Sequence, residues 1–345
     1  MKTKNLLKKV LWNRVTAANL MLFSCVLFSS CSKEPAMTDE IFTANSVTSA
    51  VPGQPQLLIS GLQGATGSTI GPGGDLFVTE GAVGKIDRID LKTGEMSTFV
   101  SGLPPSIIGI GGVTDVAFIG STAYALVTLL GPQFGDEHTV GIYRIDGPDS
   151  YTVIADIGDF AINNPPQTDY FVEMGLQYAM EVYHGGFLVT DGHHNRVYQV
   201  SLDGKVSVFK EFDNIVPTGL EISGNTVYMT EAGPTPHLPE DGKVVTFGPQ
   251  SSQEKTIASG TRLLVDVEFD RGRSLFALSQ GIWDGADAGS PANPNTGSLV
   301  KVNNDGTMTP IVEGLDRPTS MEFVKNTAYI VTLTGDVLKI PGIYG

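Results

Sequence analysis

The sequence is poor in cysteine. Its 345 residues include two, Cys25 and Cys31, both near the start. With none beyond residue 31, the fold is built without disulfides, cysteine-held metals or a thiol nucleophile. Histidine is scarce, at five residues. Basic residues are outnumbered, 22 Lys and Arg against 37 Asp and Glu, for a formal net charge of −15. This acidic balance argues against nucleic acid and anionic membrane faces as partners, because both are bound by clustered cations. Catalytic motifs are missing too. There is no G-x-S-x-G elbow, phosphate-cradling glycine loop or dinucleotide-binding unit. No long window carries a convincing helical period.

The first thirty residues are not fold. Lys2, Lys4, Lys8, Lys9 and Arg14 precede an apolar stretch from Val15 to Phe28, and Phe28-Ser29-Ser30 leads into Cys31. A basic region, a short apolar region and small residues before a cut form a secretory signal. The cysteine directly after them predicts a lipoprotein signal over 1–30, with Cys31 lipidated and Cys25 as the rival site. Removing 1–30 takes the formal charge to −20. Residues 31–55 are polar, Pro-containing and non-periodic, and read as a flexible tether. The expected location is the bacterial cell envelope, with membrane contact through the lipid anchor only.

From residue 56 a pattern repeats six times. LFVTE, YALVT, FLVTD, VYMTE, LFALS and YIVT place a marker at Thr79, Thr128, Thr190, Thr230, Ser279 and Thr332. A short strand such as YAMEV or TGLEI precedes each run, and an alternating strand such as KIDRID or NRVYQV follows. Five copies add a fourth strand. Four strands in about 40–50 residues make a propeller blade. The sixth copy stops short of its outer strand, while residues 56–60 (QLLIS) are a spare strand at the other end. The chain is therefore predicted to be all-β: a six-bladed β-propeller over 56–345, its last blade closed by strand 56–60.

Label the strands a to d from the centre outwards. The a–b and c–d connections are short turns on one face. The long connections are the b–c loops 129–139, 232–242 and 280–297 and the d–a loops 101–112 and 156–177, all on the other face. Long loops on one rim of a rigid scaffold are where function concentrates. Candidate residues follow from that rim. Glu80, Asp191 and Glu231 directly follow the marker; such acids also serve turns by accepting amide hydrogen bonds. His193, His194 and His237 lie in b–c loops, and Trp283 puts an aromatic at the rim. Asp115 and Asp266 occupy equivalent positions in opposite blades, near the channel. They are candidate ligands for a divalent cation such as Ca²⁺ or Mg²⁺, or the lining of a wet channel. The adjacent pair His193-His194 cannot chelate one metal as an i, i+4 pair does. No catalytic residue is assigned.

The stretch GPGGDLFVTEGAVGKIDRID (71–90) is similar to NHL and virginiamycin B lyase-like propeller repeats. A closer resemblance, spanning most of 56–340, is to the ScyD/ScyE family. It rests on Ser60-Gly61-Leu62, the strand from Gly71 to Glu80, Gly102-Leu103-Pro104, Asp156 with Asn164-Pro165, Val189-Thr190-Asp191 through Asn195, and Val216-Pro217-Thr218. The resemblance implies an exported six-bladed propeller. It carries over Asp191 and Asn195 but not the histidine pair, where the family has small residues. Lyase-like relatives use a histidine in a late blade, and blades five and six here have none.

Two functions are weighed. The first is a lipid-anchored monomer that binds a small molecule or an envelope protein on the b–c/d–a loop face. The alternative is a metal-assisted hydrolase or lyase, of lactonase type, with acids at the channel mouth.

Overall fold

The computed structural model describes residues 53–343, apart from 169, 252 and 286–288. The signal expected over 1–30, Cys31 with its rival Cys25, and all but the end of the tether 31–55 lie outside the described residues.

Six four-stranded antiparallel sheets follow one another, five of them with their strands in sequential order. Their innermost strands are Ala65–Ile70, Gly112–Ile119, Gln177–Tyr183, Pro217–Ser223, Leu264–Phe269 and Pro318–Val324. Each touches the innermost strand of the next blade, and the sixth touches the first. The ring is closed by Gln56–Ile59, which pairs antiparallel with Val337–Pro341 as the outer strand of blade six. Closure satisfies a backbone edge that would otherwise be open to another chain.

The apolar runs of strand b have a physical cause. Leu76–Glu80, Gly186–Asp191 and Leu275–Ser279 are buried at every position. Strand b has a partner strand on each side and a neighbouring blade over each face, so it reads as a continuous apolar run rather than an alternating one. The core is correspondingly divided into six clusters, one per interface between blades. Leu126 and Tyr124 of blade two, for example, pack with Phe187 and Val189 of blade three.

The marker threonines also find a role. All six a–b pairings shift register near the start of strand a. There a backbone N–H loses its ladder partner. Thr79 Oγ1 accepts the N–H of Gly67 at 3.0 Å, and Thr190 Oγ1 accepts that of Ala179 at 3.0 Å. In blades one and three the marker is thus a bulge cap, while Thr128 accepts the Gln177 N–H of the next blade at 3.0 Å.

Among the described residues the structure adds one α-helix and a 3-10 turn, Pro132–Phe134, to the sequence-based expectation. The d–a loop 156–177 opens with helix α1, Ile157–Asn163, whose N-cap Asp156 accepts the N–H of Asp159 at 2.7 Å. Seven residues are too few for a periodic signal, so the cap was its only trace in the sequence.

Candidate functional site

Two rings of side chains line the channel. Register places Gly67, Asp115, Ala179, Gly219, Asp266 and Ser320 at one level. Two residues further along strand a stand Thr69, Ala117, Glu181, Glu221, Glu268 and Glu322. Sequence reasoning found the two aspartates and missed the four glutamates. The signal was present, as the E of YAMEV, TGLEI, VDVEF and TSMEF recurs at one register position in four successive blades.

The aspartates act as staples between blades. Asp115 of blade two accepts the N–H of Met180 in blade three at 2.7 Å and that of Val116 at 2.8 Å. Asp266 of blade five accepts the N–H of Met321 in blade six at 2.7 Å and that of Val267 at 2.9 Å. The blade before each carries glycine for room. A Cβ on Gly67 would stand 2.7 Å from Asp115 Cα, and one on Gly219 would stand 2.5 Å from Asp266 Cα. Blades one to three and four to six thus repeat one arrangement, Gly–Asp–Met N–H, across a pseudo-twofold axis.

Over this level lies Tyr178. It starts in blade three and reaches the opposite blade, where its hydroxyl donates to Thr319 O at 3.3 Å. The space left beside both rings is about 50 Å³, room for a few waters. The acids there touch a narrow lumen and are otherwise surrounded by protein. Burial pushes Asp115 up to about 7. Burial, followed by the charge of Glu221, pushes Glu181 up to about 8. Asp266, Glu268 and Glu322 are raised well above the carboxylate range, by burial first and by the neighbouring acids after it. Burial thus favours the proton-bound form of these five carboxyls. Among the described residues no three His, Cys, Asp or Glu are gathered so as to hold a metal ion.

The stretch around Asp191 forms a second, separate cluster. Asp191 is fully buried. Its Oδ1 accepts the N–H groups of Leu176 at 2.9 Å and His194 at 3.0 Å. Its Oδ2 accepts from Gln177 Nε2 at 2.7 Å and Tyr198 OH at 3.3 Å. His194 places Nδ1 3.2 Å from the same oxygen and is itself 2 % exposed. Burial pushes Asp191 up, but the hydrogen bond and charge of His194 and the loop amides outweigh it, leaving the carboxyl below its usual range. Burial likewise pushes His194 down, and Asp191 more than reverses this. Asn195 sits in the left-handed region at φ 54°, which asparagine tolerates. Its amide donates to Tyr170 O at 2.7 Å and accepts from Ile215 and Val216 at 3.0 and 2.9 Å. His193 Nδ1 lies 2.8 Å from Met174 O. All four residues fasten the d–a loop 156–177 to blade three.

The remaining candidates stand apart. Glu80 accepts the Gln63 N–H at 2.6 Å and pairs with Lys85 at 2.6 Å. Burial raises its pKa first, and then a hydrogen bond shared with Asp87, whose own pKa is lowered. Glu231 has Lys243 at 3.9 Å, and burial pushes it up to about 7. His237 and Trp283 meet edge to face at the rim, with ring centroids 6.0 Å apart. Trp283 donates to Ser290 Oγ at 2.9 Å. The structure thus brings Asp115 to Asp266, Asp191 to His194, and His237 to Trp283, as three separate groups.

Solved structures share the fold. A gluconolactonase from Xanthomonas campestris aligns with TM-score 0.58 at 12 % identity, covering 83 % of this chain and 89 % of that one. A PQQ-bound aldose sugar dehydrogenase from Streptomyces coelicolor gives 0.55 at 13 %, covering 84 % and 99 %. Virginiamycin B lyase from Staphylococcus aureus gives 0.50 at 12 %, covering 83 % and 97 %. The chain is a six-bladed β-propeller. At such identities the likeness extends to the fold alone, since one fold carries many activities. No family model matches the chain, and no curated protein matches it.

Proposed function

We propose that the chain is an envelope-anchored, non-catalytic propeller of the ScyD/ScyE type, which binds a protein partner through the b–c/d–a loop face. One observation carries this reading. Fifteen large apolar side chains are exposed among the described residues, and ten of them lie on loops of that face. Ile107, Ile108 and Ile110 come from the first d–a loop. Ile162, Tyr170, Phe171 and Val172 come from the second, and Val83, Leu238 and Ile282 from b–c connections. Apolar surface concentrated on one rim marks an interaction site. A protein suits it better than a small molecule. The cavity beside His194 on that face holds about 40 Å³, against the roughly 300–1,000 Å³ of ligand pockets. The described chain enters on the plain face, where the Gly53 N–H donates to Pro341 O at 2.7 Å, so a partner on the loop face leaves that entry free.

Photo-crosslinking residues placed at 108 and 171 in the full chain test this in the native envelope. A discrete protein adduct from these two positions, absent from position 202 on the plain face, supports the reading. No adduct, or the same adducts from 202, ends it.

The second reading is a lactonase-type hydrolase, favoured by the six channel carboxyls and by the gluconolactonase among the fold neighbours. Asp115, Asp266, Glu181 and Glu221 are turned onto backbone N–H groups, and among the described residues no three acids are gathered so as to hold a divalent cation. No catalytic step through a metal is derived from them. Lactone turnover together with stoichiometric Ca²⁺, Mg²⁺ or Zn²⁺, both lost in Asp115→Asn, would favour this reading over the first. No turnover and no bound metal, in the wild type and in Tyr178→Ala, would remove it.

A further inference from the structure

The plain face carries a cleft between blades four and five with a volume of about 900 Å³, far larger than the channel cavity. Its lining is unusual for so acidic a chain. Lys255, Arg273 and Lys301 all border it. None of the three forms an ion pair with a carboxylate among the described residues. Lys301 is only half-exposed. The same register position in blades one and two holds Arg88 and Arg144, and both are neutralised there, by Asp75 and Asp146. Blade five keeps the cation and lacks the counter-charge.

Arg273 is held in place by its turn. It adopts φ 65°, a left-handed conformation that arginine seldom takes. The turn is closed by Arg273 N–H on Asp270 O at 3.0 Å and by Ser274 N–H on Asp270 Oδ1 at 2.7 Å. From there the guanidinium donates to Ser223 Oγ in blade four at 3.3 Å, reaching across the boundary between the blades. One acid, Asp305, borders the cleft, and its carboxylate accepts from the N–H and hydroxyl of Thr307 in its own turn.

The rest of the lining suits a polyol. Tyr228 and Phe269 are half-buried and pack edge to face at 4.9 Å. Hydroxyls and amides surround them, from Thr226, Thr246, Ser274 and Asn303. Aromatic rings accept the apolar faces of sugar rings, and short polar side chains match their hydroxyls. The three cations supply what a neutral sugar does not need. Long-range repulsion from the net negative charge is screened over about 8 Å at physiological salt, so the local cations decide.

We propose that this cleft binds an acidic oligosaccharide, with carboxylates facing Lys255, Arg273 and Lys301 and sugar rings against Tyr228 and Phe269. The site lies on the face opposite the apolar loops and is independent of what they bind. A concave cleft of this size takes a free chain of two or three sugars rather than the plane of a bilayer.

Calorimetric titration of the full chain tests it with four probes: a galacturonic acid trimer, the neutral galactose trimer, inorganic phosphate, and vesicles containing phosphatidylglycerol. The acidic trimer is expected to bind, and to bind several-fold more weakly between 50 and 200 mM salt. The combined variant Lys255→Gln, Arg273→Gln and Lys301→Gln should weaken it at least tenfold, because charge-assisted hydrogen bonds are lost. Its melting temperature should hold, since none of the three is ion-paired. Lys339→Gln, at the equivalent register position in blade six, should leave binding unchanged. Absence of binding overturns the proposal, and so does equal binding of the neutral trimer. Phosphate binding as tight as the trimer, binding to vesicles alone, or a triple variant that binds normally would each overturn it as well.

Discussion

Replacing Asp191 by alanine probes what the acid after the marker does in blade three. The structure gives it a holding role rather than a chemical one. The change strips acceptors from two backbone N–H groups, the Gln177 amide and the His194 ring, all in a buried site. Each buried donor left unpaired costs about 1–3 kcal/mol, but the loop 170–176 can relax and let water reach some of them. The expected net loss is about 3–5 kcal/mol, the range for breaking one partner of a buried charged pair. At roughly 2–4 °C per kcal/mol for large domains, and the lower figure for a domain of this size, the melting point should fall by about 6–10 °C. Asp191→Asn, which keeps one acceptor oxygen, should lose about half as much.

The pH dependence separates this account from a generic packing defect. Asp191 has a lowered pKa in the fold. Its contribution is present above its unfolded value and is lost as pH falls through the folded one. His194 has a raised pKa. Its contribution is complete below its unfolded value and is lost as pH rises through the folded one. The gap between wild type and Asp191→Ala should therefore be widest between about pH 4 and 6.5 and narrow on both sides. Calorimetric melting from pH 3 to 9 measures it. A gap under about 2 °C at pH 6, or one that does not vary with pH, refutes the reasoning.

Further predictions concern the channel and the closure of the ring. Gly219→Ala brings a Cβ to 2.5 Å from Asp266 Cα, so a backbone must shift, and urea unfolding should show about 1–3 kcal/mol of lost stability. Gly67→Ala, across the pseudo-twofold axis, should do the same and add to it, and an unchanged midpoint in the double variant would dismiss the close approach. Glu181 is raised to about 8, so the folded state holds a proton that the unfolded chain releases above about pH 4.5, and wild-type stability should fall from there to pH 8. Glu181→Gln should match wild type near pH 5 and exceed it by roughly 1–3 kcal/mol at pH 8, and identical melting profiles would refute this. Deleting Gln56–Ile59 bares the edge of Val337–Pro341 and should produce concentration-dependent light scattering, whereas a monodisperse variant with unchanged melting would refute closure by that strand.

Legibility in the sequence followed what repeats. The six markers were readable because strand b is buried on both faces in every blade, which forces the same apolar run each time. The spare strand at 56–60 was readable because the sixth copy lacked a partner for its edge. Asp156 and Asn164 belonged to a legible motif, but their roles as the two caps of a seven-residue helix were not visible, since one helical turn and a half leaves no period. The channel glutamates were missed for the opposite reason. Each looked like an ordinary polar residue in an alternating strand, and only their shared register position in four blades makes them a ring.

The sequence by itself determined the architecture: all-β, six blades, a closed ring and the face that carries the long loops. These are consequences of local periodicity and turn chemistry repeated along the chain. Only the tertiary structure decided what the singular residues do. Asp115 and Asp266 staple one blade to the next, Tyr178 lies across the channel between opposite blades, and the histidine next to Asp191 is a buried loop fastener. It also decided that three cations without an ion pair among the described residues, 46 residues apart from first to last, border one cleft. Such meetings depend on how neighbouring blades are set against each other, and no window of sequence contains two blades' facing surfaces at once.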